Sequence, residues 1–275
     1  MAPDPTTLPG LLSDLEAEHV DLDRLLDPLD EESWGLATPA EGWAVRDQVS
    51  HLAFFDDAAT VAIVDPATFT VDAEAALAAG GDPMEPHLVR GRALAGRDVL
   101  GWWRHARGAM VEAAGGLDSR DRIPWFGPPM GALSFVSARL METWAHGQDI
   151  ADALGVGRVP TARLRHIAHL GVRARPFSYI VRGLDVPPDA VRVALTGPAG
   201  ERWEWDTDAP AGLIEGPALD FCLVVTQRRH LSDTALTVQG AAASEWLAIA
   251  QAFAGAPGPG RSPLQTDRPP PAPAR

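Results

Sequence analysis

The sequence contains no lysine. All 23 of its basic residues are arginines, they face 37 acidic residues, and the formal net charge is −14. Affinity for a nucleic-acid backbone depends on clustered lysine and arginine side chains that neutralise phosphates, and no basic stripe occurs here. The acidic balance also opposes adsorption to an anionic membrane surface. We therefore expect neither a nucleic acid nor a membrane among the partners.

Cysteine is nearly absent as well. The single cysteine, Cys222, cannot form an internal disulfide, and its place in the apolar run FCLVVT favours a buried, unreactive thiol over a catalytic one. No run of eighteen uncharged apolar residues occurs, and the N-terminal MAPDPTTLPG lacks the basic start and apolar core of a secretion signal. These absences predict a cytoplasmic protein.

Three familiar catalytic motifs are also missing. The sequence has no glycine-rich phosphate loop, no nucleophile elbow and no Cys-x-x-Cys pair. Nucleotide-dependent chemistry and disulfide redox chemistry are therefore excluded from the main hypotheses.

What is present in the first 180 residues is a helical pattern. Apolar residues recur every three or four positions, the spacing of one helical face. The pattern predicts helices over about 8–29, 44–64, 86–114, 133–154 and 161–181, the fourth ending at Gly155. Between them lie the loops TPAEGW and RIPWFGPPMGA and a Gly-Gly-Asp-Pro turn at 80–83. Residues 1–182 are therefore predicted to form a helical bundle.

The pattern then changes to short mixed elements. AVRVALTG and RWEWD alternate as strands do and predict a hairpin, and TALTVQG predicts a further short strand. GPALDFCLVVTQRR predicts a helix with Pro217 near its start, and AASEWLAIAQAFAG a closing helix that ends at Gly255. We predict a smaller α/β domain over 183–256 and a proline-rich, disordered tail over 257–275.

The segment ETWAHGQDIADALG carries the strongest chemical signal. Glu142 and His146 lie four residues apart, so both side chains project from one face of the fourth helix. His51, in the second helix, is the best placed third ligand because its apolar neighbours indicate that this helix packs into a core. A lone histidine on such a face is more often a structural core residue, but together the three residues predict a metal site.

Further polar and aromatic residues are candidates for catalytic or structural roles. Asp149 shares the helical face of Glu142 and His146 and is a candidate catalytic residue or ligand partner, or else a solvated aspartate. His87 and His105 are expected to be surface or structural residues. Trp125 and Phe126 either rim a pocket or cover the end of the bundle.

Taken together, these segments resemble a known family. Five segments are similar to those of the DinB-like metalloproteins: GWAVRDQVSHLAFFD, ETWAHGQDIADALG, RHIAHLGVRARPFSY, ALDFCLVVTQRRHLSDTALTVQG and WLAIAQAFAG. Within them the similarity is to the mycothiol-dependent maleylpyruvate isomerase group, and especially to its two-domain actinobacterial metal-binding branch. The resemblance implies an α+β fold, a DinB-like four-helix bundle followed by the smaller α/β domain.

The resemblance also implies a chemistry. The family's metal ligands fall on His51, Glu142 and His146, with a divalent metal, Zn²⁺, and mycothiol as cofactors. Three protein ligands leave an open position, as in catalytic zinc sites, and the site would favour ionisation of a thiol. The expected function is a metal-dependent, mycothiol-dependent transferase or isomerase acting on an electrophilic small molecule through an activated thiol or water.

The substrate-binding arginines, the reaction class and the oligomeric state each have more than one candidate. The arginines that bind substrate carboxylates in the isomerase are not placed; the candidates are Arg90, Arg92, Arg173, Arg175, Arg228 and Arg229. The alternative functions are a lyase, hydrolase or oxygenase that uses the metal without mycothiol, or a non-catalytic module that binds a metal or ligand. The oligomeric state is expected to be a monomer or a homodimer.

Overall fold

The computed structural model describes residues 6–78, 85–205 and 207–264. The predicted turn at 80–83 and the last part of the predicted tail, 265–275, lie outside these residues. The rest of that tail, 257–264, forms no helix or strand. The chain groups into two compact units, Met1–Leu170 and Gly171–Arg275. The sequence-based limits, 1–182 and 183–256, stay predictions.

Helices dominate the first unit. They are α1 (Leu8–Leu26), α2 (Glu31–Trp34), α3 (Val45–Val64), α4 (Pro66–Ala78), α5 (Glu85–Arg92), α6 (Gly96–Ala114), α7 (Ala132–Leu154) and α8 (Leu164–Arg173), the last crossing the division between the units. The long helices α1, α3, α6 and α7 pack as a four-helix bundle, with α3 against α6 and α7, and α1 against α7. The predicted α+β fold with an N-terminal helical bundle is confirmed.

The apolar spacing in the sequence becomes the core of this bundle. Leu15, Leu22 and Leu26, all on one face of α1, are fully buried. One core cluster is formed by Leu22, Leu26, Trp34, Val45, Val49, Leu52, Ala53, Val99, Leu100, Trp102, Trp103, Ala106 and Ile150. As predicted, α7 ends at Gly155, whose φ of 65° is the left-handed conformation that glycine adopts without steric cost.

Two predicted helices are interrupted. The helix expected over 86–114 is split into α5 and α6, because the Gly96 N–H donates to the Glu31 carboxylate at 2.9 Å and starts a new helix there. Gly96 also packs tightly on Trp34, because a Cβ added to Gly96 would lie 2.1 Å from Cγ of Trp34. The helix expected over 161–181 is likewise split into α8 and α9 (Arg175–Ile180).

The segment RIPWFGPPMGA, predicted as a loop, contains two short strands. β1 (Arg122–Trp125) pairs antiparallel with β2 (Gly127–Gly131). Trp125 and Gly127 are partners in this ladder, so the hairpin turns sharply at Phe126. The hairpin leads directly into α7, which carries two of the predicted ligands.

The second unit combines one sheet with short helices. Its strands are β3 (Val191–Thr196), β4 (Arg202–Trp205), β5 (Gly212–Pro217) and β6 (Thr237–Gln239), in the order β4-β3-β5-β6. β3 and β4 form the predicted hairpin, β3 and β5 are parallel, and β5 and β6 are antiparallel. The helices are α9, α10 (Ala218–Val225) and α11 (Ala241–Ile249). The closing helix thus ends before Gly255, and β5 was not predicted.

No helix in the described ranges is both long and apolar enough to cross a bilayer.

A buried histidine in α1 makes the stability of the bundle depend on pH. His19 is 4% exposed, and its ring meets Trp103 edge-on at 5.8 Å. Burial, reinforced by the charge of Arg107, lowers the pKa of His19 from 6.5 to about 3. Between these two pH values the folded protein binds fewer protons than the unfolded chain, so stability falls as the pH drops below 6.5.

We expect the His19→Leu variant to lose less stability on acidification than the wild type. Between pH 7 and pH 5 the difference should be about 2 kcal/mol in the free energy of unfolding. Urea denaturation at both pH values measures it, with the exposed His105→Leu as control. An equal loss in wild type and His19→Leu would contradict the neutral, buried state of His19.

Candidate metal centre

The three predicted ligands meet where α3 packs beside α7. One ligand atom from each of His51, Glu142 and His146 lies within 4.8 Å of the other two. Oε2 of Glu142 is 3.1 Å from Nε2 of His146 and 3.7 Å from Nε2 of His51. The histidine ring centres are 4.3 Å apart. The structure therefore brings together side chains from two helices that are distant in sequence.

The spacing and chemistry of these atoms fit a divalent cation. Zinc holds nitrogen and oxygen ligands at about 2.0–2.2 Å, so two ligand atoms of a tetrahedral site lie roughly 3.3 Å apart. The separations of 3.1 and 3.7 Å fall on either side of that value.

The surroundings favour the protonation states that ligands need. Burial, reinforced by His146, lowers the pKa of His51 to about 3, so this imidazole is neutral at pH 7. Burial opposes ionisation of Glu142, but the two histidines beside it outweigh burial and hold the pKa of the carboxyl well below its usual range. A neutral imidazole and an ionised carboxylate are metal-binding forms.

His146 is also held from its other side. Its Nδ1 lies within hydrogen-bonding distance of Oε1 of Gln48, one turn before His51 on α3. Nε2 of Gln48 in turn donates to Oγ1 of Thr38 at 2.8 Å. Thr38 belongs to the predicted loop TPAEGW and is bonded to Trp43 within it. Gln48 and Thr38 were not predicted from the sequence as site residues.

Sequence comparison assigns the chain to a family. Residues 15–151 match the family model described as the mycothiol maleylpyruvate isomerase N-terminal domain. Two Mycobacterium tuberculosis proteins, the uncharacterized proteins MT0041 (strain CDC 1551 / Oshkosh) and Rv0036c (strain ATCC 25618 / H37Rv), are each 45% identical over 257 residues, which cover 92% of this chain and 99% of theirs. The chain belongs to the mycothiol maleylpyruvate isomerase N-terminal domain family.

Solved structures show the same fold. The crystal structure of the mycothiol-dependent maleylpyruvate isomerase has a TM-score of 0.55 and 17% identity, covering 84% of this chain and 92% of that one. A histidine-to-alanine mutant of that isomerase has a TM-score of 0.56 and 16% identity, with the same coverage. The family match at 15–151 includes His51, Glu142 and His146.

In this family member Asp149 is placed differently from the other candidates. It is 1% exposed on α7, so the reading as a solvated aspartate is wrong. Among the described residues, the group of converging ligand atoms consists of His51, Glu142 and His146 without Asp149. A catalytic role for Asp149 stays a prediction.

His87, expected to be a surface or structural residue, lies inside the bundle beside the site. It is fully buried on α5, and its ring centre lies 5.0 Å from that of His51 and 5.4 Å from that of Trp43. α5 packs tightly on α3 here, because a Cβ added to Gly91 would lie 2.5 Å from the side chain of Ser50. His105, in contrast, is exposed as expected.

The aromatic hairpin lies next to the site. Phe55 is 4.6 Å from His51 between ring centres, and it contacts Trp125 at 6.2 Å and Phe126 at 5.7 Å. Trp125 also stacks on Phe69. Phe126 remains 42% exposed. One layer of aromatic rings therefore connects the solvent-facing hairpin with the neighbourhood of His51.

The candidate arginines of the first unit already have partners. Arg90 lies 3.6 Å above the Trp102 ring centre and 3.9 Å from Asp57. Nε of Arg92 donates to the buried Asp47 at 2.9 Å. The other candidates, Arg173, Arg175, Arg228 and Arg229, belong to the second unit.

Proposed function

We propose that this protein is a metal-dependent, mycothiol-dependent transferase or isomerase that acts on an electrophilic small molecule. The observation that carries the proposal is the convergence of His51, Glu142 and His146, whose ligand atoms lie within 4.8 Å of one another. Membership of the mycothiol maleylpyruvate isomerase N-terminal domain family supports the thiol cofactor. Zn²⁺ is the metal we propose, because two imidazoles and one carboxylate form a common catalytic zinc set.

A divalent metal held there would supply positive charge that lowers the pKa of a bound thiol or water. The chain contributes two neutral imidazoles and one carboxylate, which together cancel only one of the two positive charges of Zn²⁺. The Glu142 side chain is 19% exposed, against 11% for His51 and 9% for His146, so Glu142 is the most exposed of the three ligands. A small thiol and its substrate would approach from the Glu142 side.

The chain itself offers no reactive thiol. Cys222, its single cysteine, is fully buried, and burial raises the pKa of the Cys222 thiol far above its usual range. Such a thiol is neither accessible nor ionised at neutral pH. A thiol nucleophile must therefore come from a cofactor, which is the role we assign to mycothiol.

The substrate that we propose is an electrophile that need not be a dicarboxylate. Arg90 and Arg92 are the candidate arginines of the first unit, and both are engaged with carboxylates. We therefore propose an electrophile that is recognised without a pair of arginines from the first unit. The aromatic rings of Phe55 and Phe126 offer an apolar surface beside the site.

A thiol-transfer assay tests this function. The zinc-loaded protein should consume mycothiol together with a chromogenic electrophile at least about 10-fold faster than the chelator-treated protein, because the metal lowers the pKa of the thiol. Cysteine in place of mycothiol is the control for cofactor choice. Metal-dependent turnover without mycothiol would indicate the lyase, hydrolase or oxygenase alternative, and the absence of bound metal after soaking would indicate a binding module.

A further inference from the structure

Gln48 is a fully buried polar side chain beside the candidate metal centre. It is 0% exposed on α3, and its amide group lies between His146 and Thr38. Thr38 is 9% exposed and His146 is 7% exposed. These three side chains and the Trp43 carbonyl form one continuous chain of hydrogen bonds, which we call the Gln48 relay.

The Trp43 carbonyl, at the end of the Gln48 relay away from His146, determines which group donates in each hydrogen bond. The backbone carbonyl of Trp43 can only accept, and it receives the Thr38 hydroxyl at 2.9 Å as well as the Thr38 backbone N–H at 2.8 Å. The Thr38 oxygen has thereby used its only proton, so it can only accept from Gln48. The group of Gln48 that faces Thr38 is therefore the NH₂.

The orientation of the Gln48 amide then decides the state of His146. With its NH₂ directed at Thr38, Gln48 presents Oε1 to Nδ1 of His146. An amide oxygen has no proton to give, so Nδ1 must carry the proton. In the neutral imidazole, Nε2 is then left with a lone pair, and Nε2 is the atom that lies 3.1 Å from Glu142.

We propose that Gln48 is a positioning residue, which holds His146 as the Nδ1-protonated tautomer with its Nε2 lone pair directed into the metal centre. Thr38 acts through Gln48 by fixing the orientation of the amide. The inference rests on the proposed function in that the three ligands bind a metal. Histidine ligands of metals commonly donate their other N–H in this way, and loss of the acceptor lowers affinity.

His51 has no equivalent support in the described part of the chain. Its Nδ1 is buried there without a hydrogen-bond partner. The relay therefore acts on one of the two histidines, and its removal should affect His146 specifically.

The test is the zinc affinity of the full-length protein, measured by competition with a chromophoric chelator. Gln48→Met keeps the length of the side chain but removes the acceptor, and it should weaken zinc binding by about 10- to 100-fold. Gln48→Glu restores an acceptor and should bind zinc at least nearly as tightly as the wild type. Gln148→Met, on α7 beside His146 but bonded to Asp152, is the matched control and should change nothing.

A spectroscopic readout separates positioning from general destabilisation. In the zinc-loaded wild type, the His146 Nδ1 proton should give a resolved, downfield NMR resonance protected from exchange; in Gln48→Met it should shift or disappear. Thr38→Val leaves Gln48 in place and should weaken zinc binding less than Gln48→Met does. It serves as the test if Gln48→Met does not fold. Wild-type zinc affinity and an unchanged resonance in Gln48→Met would overturn the relay and leave the proposed function standing. If Gln48→Met does not fold, unweakened zinc binding in Thr38→Val would overturn the relay in the same way. A wild type that binds no zinc would overturn both.

Discussion

The His146→Ala variant is expected to lose the full equivalent of metal that the wild-type protein binds. His146 provides one of three ligand atoms at the site, and the two that remain cannot enclose an ion. Each ligand of a structural zinc site accounts for about 3 kcal/mol or more of the binding free energy, so affinity should fall by roughly 100-fold or more. Elemental analysis of protein purified without added metal measures the stoichiometry, with His51→Ala in parallel.

The exposed His105 of α6 provides a matched control, because His105→Ala removes an imidazole that lies outside the site. His105→Ala should keep its metal, and all three variants should keep their helical circular dichroism. If His146→Ala retained a full equivalent of metal, our ligand assignment would be wrong.

The second large effect is expected from a buried ion pair next to the site. Nε of Arg139 on α7 donates to Oδ1 of Asp56 on α3 at 3.0 Å; Asp56 is 0% and Arg139 4% exposed. Asp56→Ala leaves the guanidinium buried without its counter-charge. Removal of one partner of such a pair costs about 3–5 kcal/mol, which we expect in the free energy of unfolding from urea denaturation.

Two further variants test the cause. Asp72→Ala makes the same change on the exposed surface of α4 and should shift stability by less than about 0.5 kcal/mol. Asp56→Leu combined with Arg139→Met removes both charges and should recover most of the loss. A loss in the double variant as large as in Asp56→Ala would show that packing, and not an unpaired charge, is responsible.

The parts of the fold that follow from local periodicity were predictable. The leucines of α1 and the glycine after α7 act within a few residues, and so their effect is visible in sequence. The break before α6 was not predictable in this way. It depends on Glu31 and Trp34, more than 60 positions earlier in the chain, which contact Gly96 only after the helices pack.

The candidate site likewise has some features that follow from local spacing and others that depend on helix packing. Glu142 and His146 share a face because of their spacing in one helix, and this alone suggested a ligand pair. The role of Gln48 depends on how α3 is rotated against α7, and the proximity of His87 depends on the packing of α5. A pattern of residues in a single sequence contains neither rotation nor packing.

The placement of the ligands on α3 and α7 has a consequence for the lifetime of the folded chain. A metal bound by His51 and Glu142 cross-links points separated by about 90 residues, and the unfolded chain has no such site. By mass action, free metal at 100 times its dissociation constant would add about 2.7 kcal/mol to the stability. Metal supply would then govern the turnover of the protein as well as its chemistry.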